Sequence, residues 1–431
     1  MMKSFIQNRL RRLAEKIIRT QRPKIVAVTG SVGKTSAKEA IAAVLGQEFR
    51  VRGAKKNYNN ELGVPLTIIG ADSPARSLLG WLAVWMRARK LAWSKAKDYP
   101  EWLVLELGAD RKGDIQYLCD IAPPDVAVVT AVSAAHTEFF GSVEEVAEEK
   151  GALVRALKSG GIAVLNGDDP HVRDMEHDVK GTALLYGFGD EAVRADGVEM
   201  EFPDRGAWPR GMAAILRYHE RAIPFMIEGA VGRHALYPAL AGAAVGLAVG
   251  LSMEDVEEGL RHYLPPSGRM RLIPGIKNTL IIDDTYNSSP LAAIAAVETL
   301  AEIEPAGSGQ GERYAVLGDM VELGNLALES HVAVGRRVAE LGVDVLMTVG
   351  ELGKEIGKSA RAAGMAERRV EAYNNSEEAG LALQEKLEPG DVALVKGSQV
   401  VRMEKIVKEV MAEPLRAEEL LVRMDESWAE K

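Results

Sequence analysis

The sequence predicts an α/β fold made of two successive domains of mostly parallel sheet, and three observations predict it. Short, continuous apolar runs recur along the chain: Lys24–Thr29, Trp102–Leu107, Asp125–Thr130 and Gly161–Leu165 in the first half, then Thr279–Ile282, Tyr314–Leu317, Val345–Val349 and Val392–Val395. Runs without alternation belong to strands covered on both faces. Helix-like segments lie between them, which calls for parallel pairing through crossovers. Finally, Pro265-Pro266-Ser267-Gly268 interrupts the series and divides it into a first domain, 23–264, and a second, 265–412.

Composition narrows the function classes. A length of 431 residues suggests more than one core, and 47% hydrophobic with 27% charged residues is ordinary for a globular protein. The 62 acidic residues outnumber the 53 basic ones, which argues against a dedicated nucleic-acid partner. A single cysteine, Cys119, excludes an internal disulfide and a Cys-based zinc site and fits a reducing compartment. No apolar run is long enough for a conventional membrane span, and the basic N-terminus lacks an apolar signal core.

Residues 1–22 read as an N-terminal amphipathic helix. Phe5, Ile6, Leu10, Leu13 and Ile17 recur at helical spacing among Arg9, Arg11, Arg12, Lys16 and Arg19. Such a helix either packs across the domain that follows or touches a membrane surface.

The strand at Lys24–Thr29 leads into Gly30-Ser31-Val32-Gly33-Lys34-Thr35 and then a helix opening at Ser36 and reaching Leu45. A strand, a glycine loop and a helix N-terminus make a phosphate cradle. Backbone N–H groups meet the oxygens, Lys34 reaches the terminal phosphates, and the Thr35 hydroxyl can ligate Mg²⁺. Val28 stands where the full motif has its first glycine, but the flanking strand and helix supply the context. The first domain is therefore expected to be a central P-loop ATPase-like domain.

Residues 55–63, KKNYNNELG, are polar and form a loop. The segment 77–95 combines Trp81, Trp85 and Trp93 with aliphatic side chains and with Arg87, Arg89 and Lys90. It suits either core packing or peripheral contact with a bilayer. Glu106 and His136 each follow a strand on the edge that carries the phosphate loop, so both are candidate Mg²⁺ ligands beside Thr35. The helix 142–157, with Ser142 as its cap, contains Lys150 in a glutamate-rich patch, where a surface salt bridge is the plain reading. The tight turn Asn166–Pro170 follows the next strand, and 181–228 holds three β-like runs, at 183–186, 212–216 and 223–227. Helices at 239–249 and 253–262 close the first domain.

The second series alternates strands with helices at 291–303, 327–341 and 401–410, and predicts a C-terminal Rossmann-like α/β domain. Arg269 and Arg271 follow the seam, where an arginine could reach a transferred phosphoryl group. Asp284 ends a buried-type strand and could contact substrate or nucleotide. Asp319 and Glu322 lie in one strand-end loop. Lys396 and Ser398 lie in another and offer a cation and a hydroxyl to a substrate carboxylate. Residues 413–431 read as a charged, solvated helical tail. From the residues alone this is an ATP-using enzyme, with a kinase, an ATPase switch and an ATP-dependent ligase all open.

The ordered set TGSVGKTS (29–36), NNELG (59–63), LELGA (105–109), Ala134-Ala135-His136, Lys150-Gly151, NGDDP (166–170), GRH (232–234), SGRM (267–270), IIDDTYNSSP (281–290), VLGDMVELG (316–324) and VKGS (395–398) resembles the Mur ligase family, the ATP-dependent amide ligases of peptidoglycan precursor synthesis. The resemblance spans nearly all of residues 24–412. DDTYN, GDM-x-ELG and KGS are similar to its D-alanyl-D-alanine-adding branch.

That resemblance implies a role for each residue. Gly30, Ser31, Val32, Gly33, Lys34, Thr35 and Ser36 would bind ATP phosphates. Glu106, His136, Thr35 and a carbamylated Lys150 would hold two Mg²⁺ ions. Arg269 would face the terminal phosphate, with His234, Asp284 and Asn287 at the nucleotide. Asn59, Asn60, Tyr286, Asp319, Glu322, Lys396 and Ser398 would serve a muramoyl peptide and D-alanyl-D-alanine. A cytoplasmic monomer is the expected setting, and the basic apolar segments 1–22 and 77–95 offer it a peripheral contact with the inner face of the membrane.

Two departures from the family pattern stand out. Only 23 residues precede the first strand, so the usual N-terminal UDP-gripping domain is expected to be absent and the substrate to be UDP-free, lipid-linked or held otherwise. After His234, Ala235 and Pro238 stand where the family commonly has the asparagines that hold adenine. Three alternatives follow: a related ligase joining another amino acid or peptide to a different carboxylate, a folylpolyglutamate-type ligase, or a catalytically silent nucleotide-binding partner. Intact Lys34, Glu106, His136 and Arg269 oppose the last.

Overall fold

Strand β1 (Lys24–Thr29) is the axis of the first sheet, and all but its first residue are buried. The computed structural model describes residues 2–54, 58–75, 77–133, 140–204, 207–305, 311–424 and 428. His136 with its Ala134-Ala135 neighbours, and the first three residues of the 55–63 loop, lie outside the described residues. β1 pairs in parallel with β3 (Trp102–Glu106) on one side and β4 (Val126–Val129) on the other. With β2 (Val51–Gly53), β5 (Ile162–Asn166), β6 (Thr182–Gly187), β7 (Val193–Glu201), β8 (Gly211–Tyr218) and β9 (Arg221–Glu228), the order is β2-β3-β1-β4-β5-β6-β7-β8-β9. The register sets Val28 against Glu106 and Thr29 against Val129, so the carboxyl ends of β3, β1 and β4 lie side by side. Ligands of such sheets bind beyond those ends.

Helix α1 (Met2–Gln21) buries Leu10, Ala14 and Ile17 completely in the core that also takes in Val84 and Ala88 of α4 (Leu78–Trp93). The i, i+4, i+7 spacing puts all three on one face, and the Leu10 and Ile17 side chains so buried each contribute about 1.5–3 kcal/mol. Packing across the domain is thus realised. Gln21 completes the joint: its amide donates to the Leu91 and Ser94 carbonyls and its oxygen accepts from Ala96 N–H, which satisfies the open end of α4.

The contact division assigns Met1–Gly197, Ala214–Phe225 and Tyr237–Tyr263 to one unit, and Val198–Ala213, Met226–Leu236 and Leu264–Lys431 to the other. It differs from a single cut at 264/265 by giving two segments of the 198–236 region to the second unit.

The second sheet has the order β10-β11-β15-β12-β13-β14, with β10 (Arg271–Gly275) antiparallel to β11 (Thr279–Asp284). β15 (Val392–Lys396), β12 (Arg313–Gly318), β13 (Val345–Val349) and β14 (Val370–Tyr373) continue in parallel. This is the expected Rossmann-like layer. The tail departs from its expected solvated state. Ala412 N–H donates to the Pro274 carbonyl at 2.9 Å, and Ala417 and Leu421 enter the core. Their apolar surface outweighs the charged residues around them, which stay at the rim.

Candidate active site

The phosphate loop takes its shape from two glycines in backbone regions that other residues rarely adopt. Gly30 has φ 144° and Gly33 φ 82°. A Cβ on Gly30 would also lie 2.1 Å from Thr130 Oγ1, so chain approach and backbone angle both require glycine there. Thr130, just past β4, latches the loop by donating to the Val32 carbonyl at 2.6 Å and the Thr29 carbonyl at 3.2 Å. Ser31 N–H donates to the Ala131 carbonyl, and Ser133 N–H donates to Ser31 Oγ. The second loop is held in turn by Asn166, which donates to the Thr130 carbonyl, and by Asp169, which accepts from Val132 N–H.

Helix α2 begins at Lys34, two residues earlier than the sequence suggests, and runs to Leu45. Lys34 Nζ donates to the Gly30 carbonyl at 2.6 Å and to the Ser31 carbonyl at 3.1 Å. Thr35 Oγ1 donates to Glu106 Oε2 at 3.0 Å, while Asn59 Nδ2 donates to Glu106 Oε1 at 3.1 Å. Glu106 is 2% exposed. A buried carboxylate bridged to a hydroxyl at a helix N-terminus suits a divalent cation shared with phosphate oxygens, since Mg²⁺ commonly takes only one or two protein carboxylates. Among the described residues no group of three or more His, Cys, Asp or Glu side chains could hold a metal by itself. The Asn60 side chain accepts from Leu62 and Gly63 N–H and so shapes the entry to helix α3 (Gly63–Ile69).

Lys150 is buried in the Val143–Arg155 helix, with Nζ 5.9 Å from the centre of the Phe140 ring. A surface salt bridge is therefore not its role. Burial, aided by the charge of Lys34, pushes its pKa down to about 7. Its neighbour Glu149 accepts from Gly113 and Ile115 N–H and caps the Asp114–Ile121 helix.

In the C-terminal unit the paired aspartates hold backbone. Asp283 accepts from Gly268 N–H and from Thr285, and burial pushes its pKa up to about 6. Asp284 accepts from Met270 N–H at 3.3 Å and pairs with Lys396 at 2.6 Å. Lys396 also donates to the Asn287 carbonyl. These bonds fix the Ser267–Met270 turn and with it Arg269, whose guanidinium lies 4.0 Å from the Tyr286 ring centre. Desolvation pushes His234 below the usual imidazole range, with Asp284 opposing and Lys396 assisting. Asp319 accepts from Gly353 N–H, and its carbonyl accepts from Ser398 N–H. Ser398 Oγ accepts from Val321 N–H, and Glu322 has a left-handed φ of 63°.

Residues 28–75 and 88–246 match the Mur ligase middle domain, and 268–399 match the Mur ligase, glutamate ligase domain. The UDP-N-acetylmuramoyl-tripeptide--D-alanyl-D-alanine ligase of Bacillus subtilis is 30% identical over 406 residues, which cover 94% of this chain and 80% of that protein. The chain belongs to the Mur ligase family. The enzyme of the same description from Escherichia coli is 31% identical, with 91% and 78% covered. The crystal structure of MurF ligase from Thermotoga maritima in complex with ADP aligns with a TM-score of 0.76 at 27% identity, covering 96% of this chain and 84% of that one.

Two features of this Mur ligase have no distinct signal in the sequence: the Thr130 latch on the phosphate loop and the part taken by the tail. Arg423 donates to the Tyr286 and Thr285 carbonyls and to Glu404 Oε2 at 2.8 Å. Glu404 is fully buried and also accepts from Arg402. The tail thereby holds the loop whose Tyr286 ring stacks on Arg269. The partners lie far apart in sequence, and the only local hint is an arginine after an apolar Leu-Leu-Val. Arg423→Ala is expected to lower the unfolding free energy by about 2–4 kcal/mol, because it removes one partner of a buried carboxylate. Arg423→Lys, which cannot fork to all three acceptors, recovers only part. Urea denaturation measures both, and an alanine variant within about 0.5 kcal/mol of wild type would be incompatible with this placement.

Proposed function

We propose that this Mur ligase uses ATP to join D-alanyl-D-alanine to the carboxylate of a muramoyl tripeptide, in the cytoplasm and as a monomer without a nucleic-acid partner. One observation carries the reading: the buried Glu106 carboxylate, held between the Thr35 hydroxyl and the Asn59 amide at the mouth of the phosphate loop. The names of the B. subtilis and E. coli relatives supply the substrates.

In this reading the loop N–H groups and the α2 dipole bind phosphate oxygens, and Lys34 leaves the Gly30 and Ser31 carbonyls for the terminal phosphate. Thr35, Glu106, His136 and Lys150 as a carbamate would hold Mg²⁺, which when bound neutralises charge on the phosphoryl oxygens. The peptide carboxylate attacks the γ-phosphorus, the bond to the ADP oxygen breaks, and an acyl phosphate forms. The dipeptide amine then attacks the acyl carbon. Phosphate departs, the amide forms, and the amine proton is lost. Arg269, held by Tyr286, is assigned the charge that spreads over the transferred group. Asn60, Asp319, Glu322, Lys396 and Ser398 are assigned to the substrates, and His234, Asp284 and Asn287 to the nucleotide, as the family resemblance implies.

The Lys150 reading draws support from its depressed pKa. An amine titrating near 7 is partly uncharged at neutral pH, and the uncharged form adds CO₂ to give a carbamate and a proton.

A phosphate-release assay with product masses tests the whole. It offers UDP-linked, UDP-free and lipid-linked muramoyl tripeptides, with D-alanyl-D-alanine or single amino acids as nucleophiles. Phosphate and a dipeptide-extended product are expected together. Bicarbonate depletion is expected to slow turnover, more at pH about 6.5 than at about 8.5, because the neutral fraction of Lys150 grows as pH rises through its pKa. No turnover with any muramoyl acceptor would end the assignment.

A further inference from the structure

Helix α4 is apolar on two opposite sides. Val84, Ala88, Leu91 and Ala92 face the core at helical spacing. The opposite side carries Leu78, Leu79, Leu82, Met86 and Trp93, all 54–86% exposed. A row of large apolar side chains over four turns of one exposed helix is more than the scattered hydrophobics of an ordinary surface.

Charge identifies what covers it. The whole chain has a formal charge of −9. Yet α4 contains three cations and no acid, and α1, packed beside it, contains six cations and one acid. The two features form one patch: Lys16 Nζ lies 3.6 Å from the centre of the Trp93 ring, and the Arg89 guanidinium 5.9 Å. A second copy meeting this face through a two-fold axis would set one basic surface against another, which costs association energy. An anionic lipid surface satisfies both halves, taking the apolar side chains at its acyl boundary and the cations at its headgroups. No helix among the described residues is long and apolar enough to cross a membrane, so the contact lies in the plane of the surface.

We propose that the outer face of α4, with the flanking α1 cations, docks this protein on an anionic phospholipid bilayer. The contact is separate from the ligase site and stands whether or not the substrate assignment holds.

Sedimentation of the full chain with vesicles tests it. Vesicles of phosphatidylcholine with about a third phosphatidylglycerol are expected to retain at least about tenfold more protein than phosphatidylcholine alone, with the excess falling steeply as salt rises. Leu82→Glu/Met86→Glu is expected to abolish retention, and Arg89→Glu/Lys90→Glu to remove the preference for anionic lipid. These side chains point away from the core, so circular dichroism and the urea midpoint are expected to hold. Brominated lipid is expected to quench tryptophan emission in the wild type and not in the Leu82→Glu/Met86→Glu variant. Absence of retention on anionic vesicles, or undiminished retention of that variant, overturns the proposal. A concentration-dependent dimer that the same variant dissolves also overturns it, in favour of a second copy.

Discussion

Lys34→Ala is expected to lower ATP-dependent turnover by about 10³-fold or more, since positioned charge supplies most of the catalysis in phosphoryl transfer. The fold should survive the change. Lys34 Nζ donates to the Gly30 and Ser31 carbonyls, which lie at the rim of the loop, while the loop itself is held by Thr130 and by backbone bonds to 131. Glu106→Gln is expected to act differently. The glutamine oxygen can accept from Asn59 while its amide donates to Thr35 Oγ1, because a hydroxyl also accepts. Stability is therefore expected to change by less than about 1 kcal/mol, while the negative charge a cation would need is lost. Steady-state phosphate release and urea midpoints separate the two effects. If Lys34→Ala stays within about tenfold of wild type, Lys34 does not act on the transferred phosphate.

Lys396→Met is expected to be the most destabilising of the substitutions considered, by about 3–5 kcal/mol, because it strands a buried carboxylate. The register of β11 and β15 sets Asp284 directly opposite Lys396, and both side chains are almost fully buried. Removing the ammonium also frees the Asn287 carbonyl. Asp284→Asn combined with Lys396→Met is expected to recover much of the loss, since an amide oxygen can still accept from Met270 N–H without carrying an unpaired charge. Turnover of the double variant discriminates between roles. Restored stability with lost turnover would assign the Asp284–Lys396 pair to ligand binding as well as to the fold. A single-variant cost below about 1 kcal/mol would contradict the buried pair.

The buried strands were legible because a parallel strand with both faces covered must be apolar throughout. Lys24–Thr29, Trp102–Glu106 and Val345–Val349 carry that mark in their residues alone. β2 was not legible, being three half-buried residues. β7 was missed because Arg194, Asp196, Glu199 and Glu201 give it a polar composition. β10 includes Pro274, which reads as a strand breaker, yet its partner β11 lies on one side only and the sheet ends there. The glycine loop, Lys34, Thr35 and Glu106 could be picked out from spacing and strand ends. Thr130 and Arg423 could not, because a lone threonine or tail arginine has no local pattern.

By itself, then, the sequence determined the α/β class, the order of most strands and helices, the phosphate loop and the identity of the residues at the strand ends. Those properties depend on local composition and periodicity, which neighbours along the chain specify. Tertiary structure alone decided that Asp284 is tied to Lys396, that Lys150 is buried beside Phe140 instead of salt-bridged in solvent, and that the tail returns to hold Tyr286. It also decided which face of α4 the core covers and which it leaves bare. Each of these depends on desolvation and charge pairing between residues distant in sequence, and burial exists only once the chain has packed.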